Sequence, residues 1–290
     1  EEIEEGDRIG GPERIELPEQ TVDLNVTDAI SALRMRFDSV ITHDDSVRLR
    51  GALESAKHIA DVEESDLRDA LALAELSMSD VAEQLSIRVT TVYNNVTHST
   101  DGSGDGILGL LRSETELLAE NELVVKTNNG RLSRFTYPNN VDDELASLCA
   151  FVLAEGLLAE YEKTNILSIS QTKRSELLEE ALLTVADRFN VEHRKKNEKD
   201  YVIGDSAFAL FFSELFGIQM GRSRNVPFPD WVLNAPTDVK QAFVSTFLSL
   251  EAEVRNNAIR ITQASQTKIE QLSYLLLSFE ISSARNTKEK

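Results

Sequence analysis

The stretch Leu148-Cys149-Ala150-Phe151-Val152-Leu153-Ala154-Glu155-Gly156 reads as a short apolar helix that ends by delivering one carboxylate, Glu155, beside a glycine. A second copy lies downstream. Val244-Ser245-Thr246-Phe247-Leu248-Ser249-Leu250-Glu251-Ala252 puts Glu251 where Glu155 stands, 96 positions later. Ala150 and Ala154 are four apart, so they share one helix face and let a partner helix come close. Taken singly, either copy is also what an ordinary buried helix with a terminal Glu looks like. The residues downstream of each copy point to a repeat. After Glu155 come the strand-like Ile166-Leu167-Ser168-Ile169-Ser170-Gln171, a helical Ser175 to Phe189, and Val191. After Glu251 come Ala258-Ile259-Arg260-Ile261-Thr262-Gln263, a helical Lys268 to Phe279, and Ile281. The same order at similar spacing marks an internal duplication.

Working outward, Asp142 or Asp143 caps the first apolar helix after the Pro138-Asn139-Asn140 boundary. Within the first repeat, Tyr161 to Gln171 predicts a hairpin, and Val191 to Gly204 a second hairpin turning near Asn197. Ala207 to Phe216 predicts a closing helix, with Phe208, Phe211, Phe212, Leu215 and Phe216 as core. The second repeat departs from the first. Leu250 stands at the place of Ala154, which is expected to spread the helices, and Ala252 replaces the glycine, which is expected to alter backbone freedom. The sequence also stops about where the first repeat begins its second hairpin, so the native protein is expected to continue beyond Lys290.

The paired stretches resemble the signature helices of the LAGLIDADG (DOD-type) homing endonucleases. The resemblance implies an α+β, pseudo-two-fold core over 141–290, built of two αββαββα-like halves, 141–217 and 236–290, the second truncated, and acting as a pseudo-dimeric monomer. It implies that Glu155 and Glu251 are metal ligands. Two carboxylates held together repel one another unless a divalent cation sits with them, and hard oxygen ligands suit magnesium, one to three ions near the paired helix ends. Such a site supports in-line hydrolysis of a phosphodiester. The family places a catalytic lysine before a Val/Ile-Pro pair. Here the text is Gly221-Arg222-Ser223-Arg224-Asn225-Val226-Pro227-Phe228-Pro229-Asp230-Trp231-Val232. Arg224 takes that place if Val226-Pro227 is the pair, and Val226 if Pro229 is; either way the lysine is missing. A guanidinium can hold a phosphate bidentately but does not shuttle protons. Trp231 reads as a core anchor at the junction.

Half of the sheet residues in such a core point at DNA. The candidates are Gln171, Lys173, Arg194, Lys195 and Lys196 in the first half and Arg255, Arg260 and Gln263 in the second. Gln171 and Gln263 occupy matching places, near the groove and its water network or simply solvated.

Upstream, Val26 to Leu76 is helical in pattern, with Ala29, Leu33, Val47, Leu49, Ile59, Leu67 and Leu71 as apolar positions and Asp44 or Asp45 as an N-cap. His43 and His58 lack metal-ligand spacing and read as surface or cap residues. Met78 to Val96 resembles a helix-turn-helix, turning at Ser86-Ile87, with Val81, Ala82, Leu85, Ile87, Val92 and Val96 as its small core. Arg88, Thr90, Thr91, Tyr93 and Asn94 then face the major groove. The alternative is a plain helical hairpin, since Ser86 replaces the usual turn glycine. Thr100 to Gly106 reads as a break and Ile107 to Glu120 as an amphipathic helix. Leu123 to Tyr137 gives two strands around Asn129-Gly130. That order, over 26–138, is the order of a winged helix. Lys126, Arg131 and Arg134 either touch phosphates or form a solvated hairpin edge.

Residues 1–25 contain Gly-Asp, Gly-Gly and two prolines and predict strand and turn. Gly6-Asp7-Arg8-Ile9 resembles the segment of archaeal inteins that leaves the splicing half, which implies a remnant linking to a Hint splicing domain, with that domain and a host protein as partners in the parent chain. Neither a splicing nucleophile nor a terminal His-Asn is visible, so this chain alone is not expected to splice.

Composition sets the outer bounds. A chain of 290 residues with 41% hydrophobic content can form two domains with cores. No apolar run approaches a membrane span, and no signal peptide is visible. The single cysteine, Cys149, lies inside the first apolar helix; with no intrachain disulfide possible, a cytoplasmic location is expected. A net charge of −20 opposes nucleic-acid binding. Its distribution softens the objection: Glu1 to Asn25 holds nine acidic and two basic residues, Val254 to Lys290 three acidic and six basic. Low lysine with abundant Asp and Glu also fits a salt-loving source. The expectation is an intein-encoded endonuclease that cuts double-stranded DNA at a long site with magnesium. The alternative is a cleavage-dead DNA-binding module or regulator, as in the WhiA-type proteins, where the helix-turn-helix comes after the core rather than before it.

Overall fold

The computed structural model describes residues 14–98, 104–127, 130–161, 164–171, 174–222, 226–255, 258–263 and 265–284. Gly6-Asp7-Arg8-Ile9, Asn129 of the hairpin turn, Lys173 and Arg224 lie outside them. The fold is mixed α+β, and among the described residues all strand pairings are antiparallel.

The N-terminal part runs α1 (Val26–Arg36), β1 (Ser39–Ile41), α2 (His43–Ser55), one 3-10 turn (Ile59–Asp61), α3 (Glu64–Leu73), α4 (Met78–Gln84), α5 (Val89–His98), α6 (Gly104–Glu114), β2 (Glu122–Lys126) and β3 (Leu132–Thr136). The C-terminal part continues with α7 (Asp143–Glu155), β4 (Gly156–Tyr161), β5 (Thr164–Ser170), α8 (Ser175–Phe189), β6 (His193–Lys195), β7 (Asp200–Ile203), α9 (Ser206–Phe216), β8 (Gly221–Arg222) and α10 (Trp231–Asn234). It closes with α11 (Thr237–Glu251), β9 (Ala252–Arg255), β10 (Ala258–Ile261) and α12 (Gln266–Ser278).

The central helix is α7. Asp142 caps it, accepting from the Leu145 N–H at 3.0 Å, and it is buried all round from Leu145 to Ala154 apart from Ser147. A helix apolar on every side belongs inside a core. Its partner α11 buries Val239, Phe243, Val244 and Phe247 at three- and four-residue spacing and packs along it. From α7 to α9 the order is helix, two strands, helix, two strands, helix. From α11 the order helix, two strands, helix repeats, and no second hairpin or closing helix comes after it among the described residues. The first part's strands form one sheet in the order β6-β7-β5-β4-β8, whereas β9 and β10 stand as a two-stranded hairpin. Phe189, Phe208, Phe212 and Phe216 interlock beneath the larger sheet. Phe228, Phe243 and Phe247 interlock beside α11. Trp231 anchors the junction, its indole N–H donating to the Phe216 carbonyl at 3.0 Å.

Several expectations need correction. The first hairpin starts directly after the helix, at Gly156 rather than Tyr161. Residues 26–76 are not helical throughout, since β1 interrupts them, and the cap of α2 is Thr42 with Asp45 closing a capping box, not Asp44 or Asp45 itself. Helix α6 begins at Gly104 and ends at Glu114, earlier at both ends than Ile107 to Glu120.

The boundary at residue 26 also shifts. Ala29 and Leu33 of α1 lie in the core built around α7, and α1 packs on α9. Residues 14–24 run along the same core: Gln20 donates to the Asn234 carbonyl, Val141 to the Val22 carbonyl, and the buried Lys240 ammonium to the Pro18 carbonyl at 3.0 Å. The separate core is that of α2 to α6. Between the two cores stands the sheet β1-β2-β3, which serves both. Val40, Leu123, Val125 and Phe135 face one core, and Ile41, Val124 and Leu132 the other. A strand reading Leu123-Val124-Val125 without alternation fits burial on both faces. The hairpin is thus a buttress joining the modules, not a wing standing free.

Among the described residues no helix is long and apolar enough to cross a membrane. Cys149 is fully buried, and burial pushes its thiol well above the usual range, as suits a packing residue.

Candidate functional site

Glu155 and Glu251 are the last residues of α7 and α11. The helices pack side by side, and the two carboxylates at their ends come within electrostatic reach of one another. Both are half-buried. Glu155 is raised above the ordinary carboxylate range by burial, and Glu251 is raised by burial and then by the charge on Glu155. Desolvation raises both acids, and at Glu251 the charge of Glu155 adds to it. Each carboxylate has a glutamine of its own half. Gln171 donates its amide to Glu155 at 3.4 Å, and Gln263 hydrogen-bonds Glu251. These two glutamines are therefore partners of the acidic pair rather than freely solvated strand positions.

The glycine after Glu155 has a different role from the one expected. Gly156 has φ −91° and Ala252 has φ −88°, both ordinary extended values, so neither position needs glycine's backbone freedom. What Gly156 provides is the absence of a side chain: a Cβ there would clash with the Val152 carbonyl oxygen.

The pair has a third member that the sequence reading missed. Lys268, at the third position of α12, is 1% exposed. Its ammonium donates to the Leu153 carbonyl at 3.0 Å and lies 5.7 Å from the ring centres of both Phe228 and Phe247. Burial lowers it to about 8, against the opposing charge of Glu251. Counted with the basic residues of a DNA-facing tail, it is instead inside the site. A signal was present: a cation in the first turn of a helix works against the helix dipole, and a lysine there needs another reason.

The donor set suits a hard cation that keeps much of its water. Among the described residues no group of three or more His, Cys, Asp or Glu side chains gathers, so the acidic pair stands without a third such ligand. Magnesium is commonly held by one or two carboxylates, its remaining positions going to water and phosphate. The pair fits that pattern.

The other candidate residues fall into distinct places. Arg194 lies on β6 and shares the outward face of the sheet with Ser168 and Val202, while Lys195 points the other way, its ammonium 5.7 Å from the Tyr201 ring centre. Lys196 and Arg260 are exposed, and Arg255 pairs with Ala258 in the β9-β10 hairpin. Arg88, Thr90, Tyr93 and Asn94 are exposed at the start of α5, with Thr91 half-buried, over a core of Val81, Ala82, Val92 and Val96. The turn before α5 is tight: Ser86 takes a left-handed φ of 54°, and the Ile87 N–H donates to the Ala82 carbonyl at 2.9 Å. That helix ending normally recruits glycine. Arg131 is exposed and Lys126 half-buried near the hairpin tip. Arg134 is not at the tip. Its guanidinium is held by Glu122 at 2.6 Å, with Glu75 and Glu116 within 3.8 Å, so it is an internal tie between β3 and the helical module and not a phosphate contact.

A cleft of about 1150 Å³ lies between β3 and the β6-β7 edge, lined in part by Arg36, Arg131, Arg194 and Asp205. It does not include the acidic pair. No known protein family matches this chain, and no curated protein is significantly similar to it.

Proposed function

We propose that the chain is a LAGLIDADG-type homing endonuclease domain of intein origin that cuts double-stranded DNA with magnesium. The observation that carries this reading is the convergence of Glu155 and Glu251 at the common end of two packed helices, each with a glutamine of its own half. The repeated order of helix, hairpin and helix on either side of that seam supports it. So does the helix-turn-helix geometry of α4 and α5, with polar side chains exposed at the start of α5.

In this reading the sheet β6-β7-β5-β4-β8 lays its outward face along the duplex, where Arg194 meets phosphate, and α5 reads base edges in the major groove. Glu155 and Glu251 hold the cation, and Gln171 and Gln263 orient the two carboxylates through their amides. Magnesium, when bound, supplies positive charge to the phosphodiester under attack. The close packing of α7 on α11 fixes the spacing of the carboxylates, because side chains in a dense interior cannot drift independently.

A second reading is DNA binding without cleavage. The buried Lys268 favours it, since an ammonium in the field of Glu251 already supplies counter-charge there. The test is to incubate purified protein with DNA carrying the host gene free of its insertion, with magnesium or with chelator. Magnesium-dependent double-strand breaks, lost in Glu155→Gln and Glu251→Gln, support the nuclease. A retarded complex without breaks supports the binding module, and neither complex nor breaks overturns both.

A further inference from the structure

We infer that the cleft between β3 and the β6-β7 edge is a phosphate-binding track that carries the backbone of duplex DNA off the sheet and onto the hairpin β2-β3. The inference goes beyond the nuclease reading and rests on it only for duplex DNA as the partner.

The cleft has two banks. On one, Arg194 and Val202 are cross-strand partners beside Ser168, and Ile166 lies two residues before Ser168, so all three share the outward face of the sheet. On the other stand Arg131, just before β3, and Arg36, the last residue of α1. Packing sets the distance between the banks. Phe135 of β3 lays its ring against Phe208 and Phe211 of α9, and the Ser133 hydroxyl donates to Asp205, the cap of α9.

The charge of the cleft runs against that of the chain. The whole sequence holds 30 Lys and Arg against 50 Asp and Glu, whereas four arginines and two carboxylates line the cleft. Arg134 is already committed to Glu122. Asp205 has its oxygens taken by Ser133 and by the N–H groups of Ala207 and Phe208, which leaves Glu192 as the opposing carboxylate. Arg131 and Arg194 are exposed. Arg36 pairs with Glu160 at 3.0 Å, a surface contact weak enough for a phosphate to displace. On a chain that repels phosphate overall, cations gathered along one groove concentrate the attraction there. At about 1150 Å³ the cleft exceeds the roughly 300–1,000 Å³ of small-molecule sites, and its cations stand on opposite banks instead of converging on one point. A backbone that passes between the banks meets both.

The test is binding of the full chain to random-sequence duplex DNA in chelator, read as the dependence of log Kd on log salt concentration. Arg36→Gln, Arg131→Gln and Arg194→Gln are each expected to make that slope shallower by about 0.9, and the triple variant by about 2.7. Arg50→Gln, on an exposed position of α2 outside the cleft, is expected to leave it unchanged. Arg36→Lys and Arg131→Lys keep the charge and should keep the slope; if they lose it as the glutamine variants do, the arginines act through the fold and the inference fails. A slope lowered by Arg194→Gln but not by Arg36→Gln or Arg131→Gln keeps the duplex on the sheet alone, and overturns the track while leaving DNA binding intact. A slope lowered equally by Arg50→Gln reports only lost net charge and overturns it too. Wild-type protein that binds no duplex at low salt overturns both the track and the nuclease reading. None of these readouts requires cleavage.

Discussion

Leu158 and Leu167 are cross-strand partners in the first half and are 2% and 0% exposed. Val254 and Ile259 are cross-strand partners at the matching places in the second half and are 79% and 67% exposed. The strands have the same apolar character and the same register relative to the acidic residue. The difference is what lies over them: α9 packs against β5, and no comparable helix covers β10 among the described residues. Burial is thus conferred by the third layer and not by the strand. The acidic ends differ too: α12 puts the buried Lys268 ammonium on the Leu153 carbonyl, and the matching place in α8 is Leu177.

The sharpest way to break this comparison is at the carboxylates. If both halves contribute to one catalytic centre, Glu155→Gln and Glu251→Gln each lower the rate of DNA linearisation on the order of 10³-fold, about 4 kcal/mol of transition-state stabilisation. A large loss from one substitution and none from the other, measured at saturating magnesium, would leave a single functional half. Next in size is the covered sheet. Leu158→Ala or Leu167→Ala should cost about 3 kcal/mol in denaturant unfolding, as expected for a buried leucine whose neighbours cannot close the space.

The turn from helix to strand should separate the halves by a smaller amount. Gly156→Ala places a methyl group against the Val152 carbonyl and should cost about 2 kcal/mol. Ala252→Gly, at the other helix end, removes a methyl that is already accommodated and should cost only about 0.5–1 kcal/mol, the price of a freer unfolded chain. Equal costs would show that the two turns are strained alike.

Much of this arrangement was legible in the residues. The apolar run of Leu148 to Ala154, the repeated strand and helix patterns and the capping residue Asp142 located α7, α11, β5, β6 and β7, whereas β4 was expected only from Tyr161 and begins at Gly156. Other features depended on contacts that a linear pattern does not carry. Strand β1 is three residues long, Ser39–Ile41, too short for alternation to register, and it exists because β2 offers it an edge. Arg134 looked like a tip residue because its three carboxylate partners, Glu75, Glu116 and Glu122, are spread along the chain. Lys268 looked like a solvated charge because its partners, Leu153, Phe228, Phe247 and Glu251, come from three other segments.

The smallest expected effect tests the opening contrast most directly. Val254→Thr and Ile259→Thr alter side chains that already meet water, so little apolar surface changes environment on folding, and each should shift stability by less than about 0.5 kcal/mol. The same exchange at Leu158 or Leu167 would bury a hydroxyl without a partner and add that penalty to the lost packing. Denaturant midpoints of the four variants therefore form one measurement. If Val254→Thr costs as much as Leu158→Thr, the second hairpin is covered in solution after all, and the inequality of the halves lies in their ends alone.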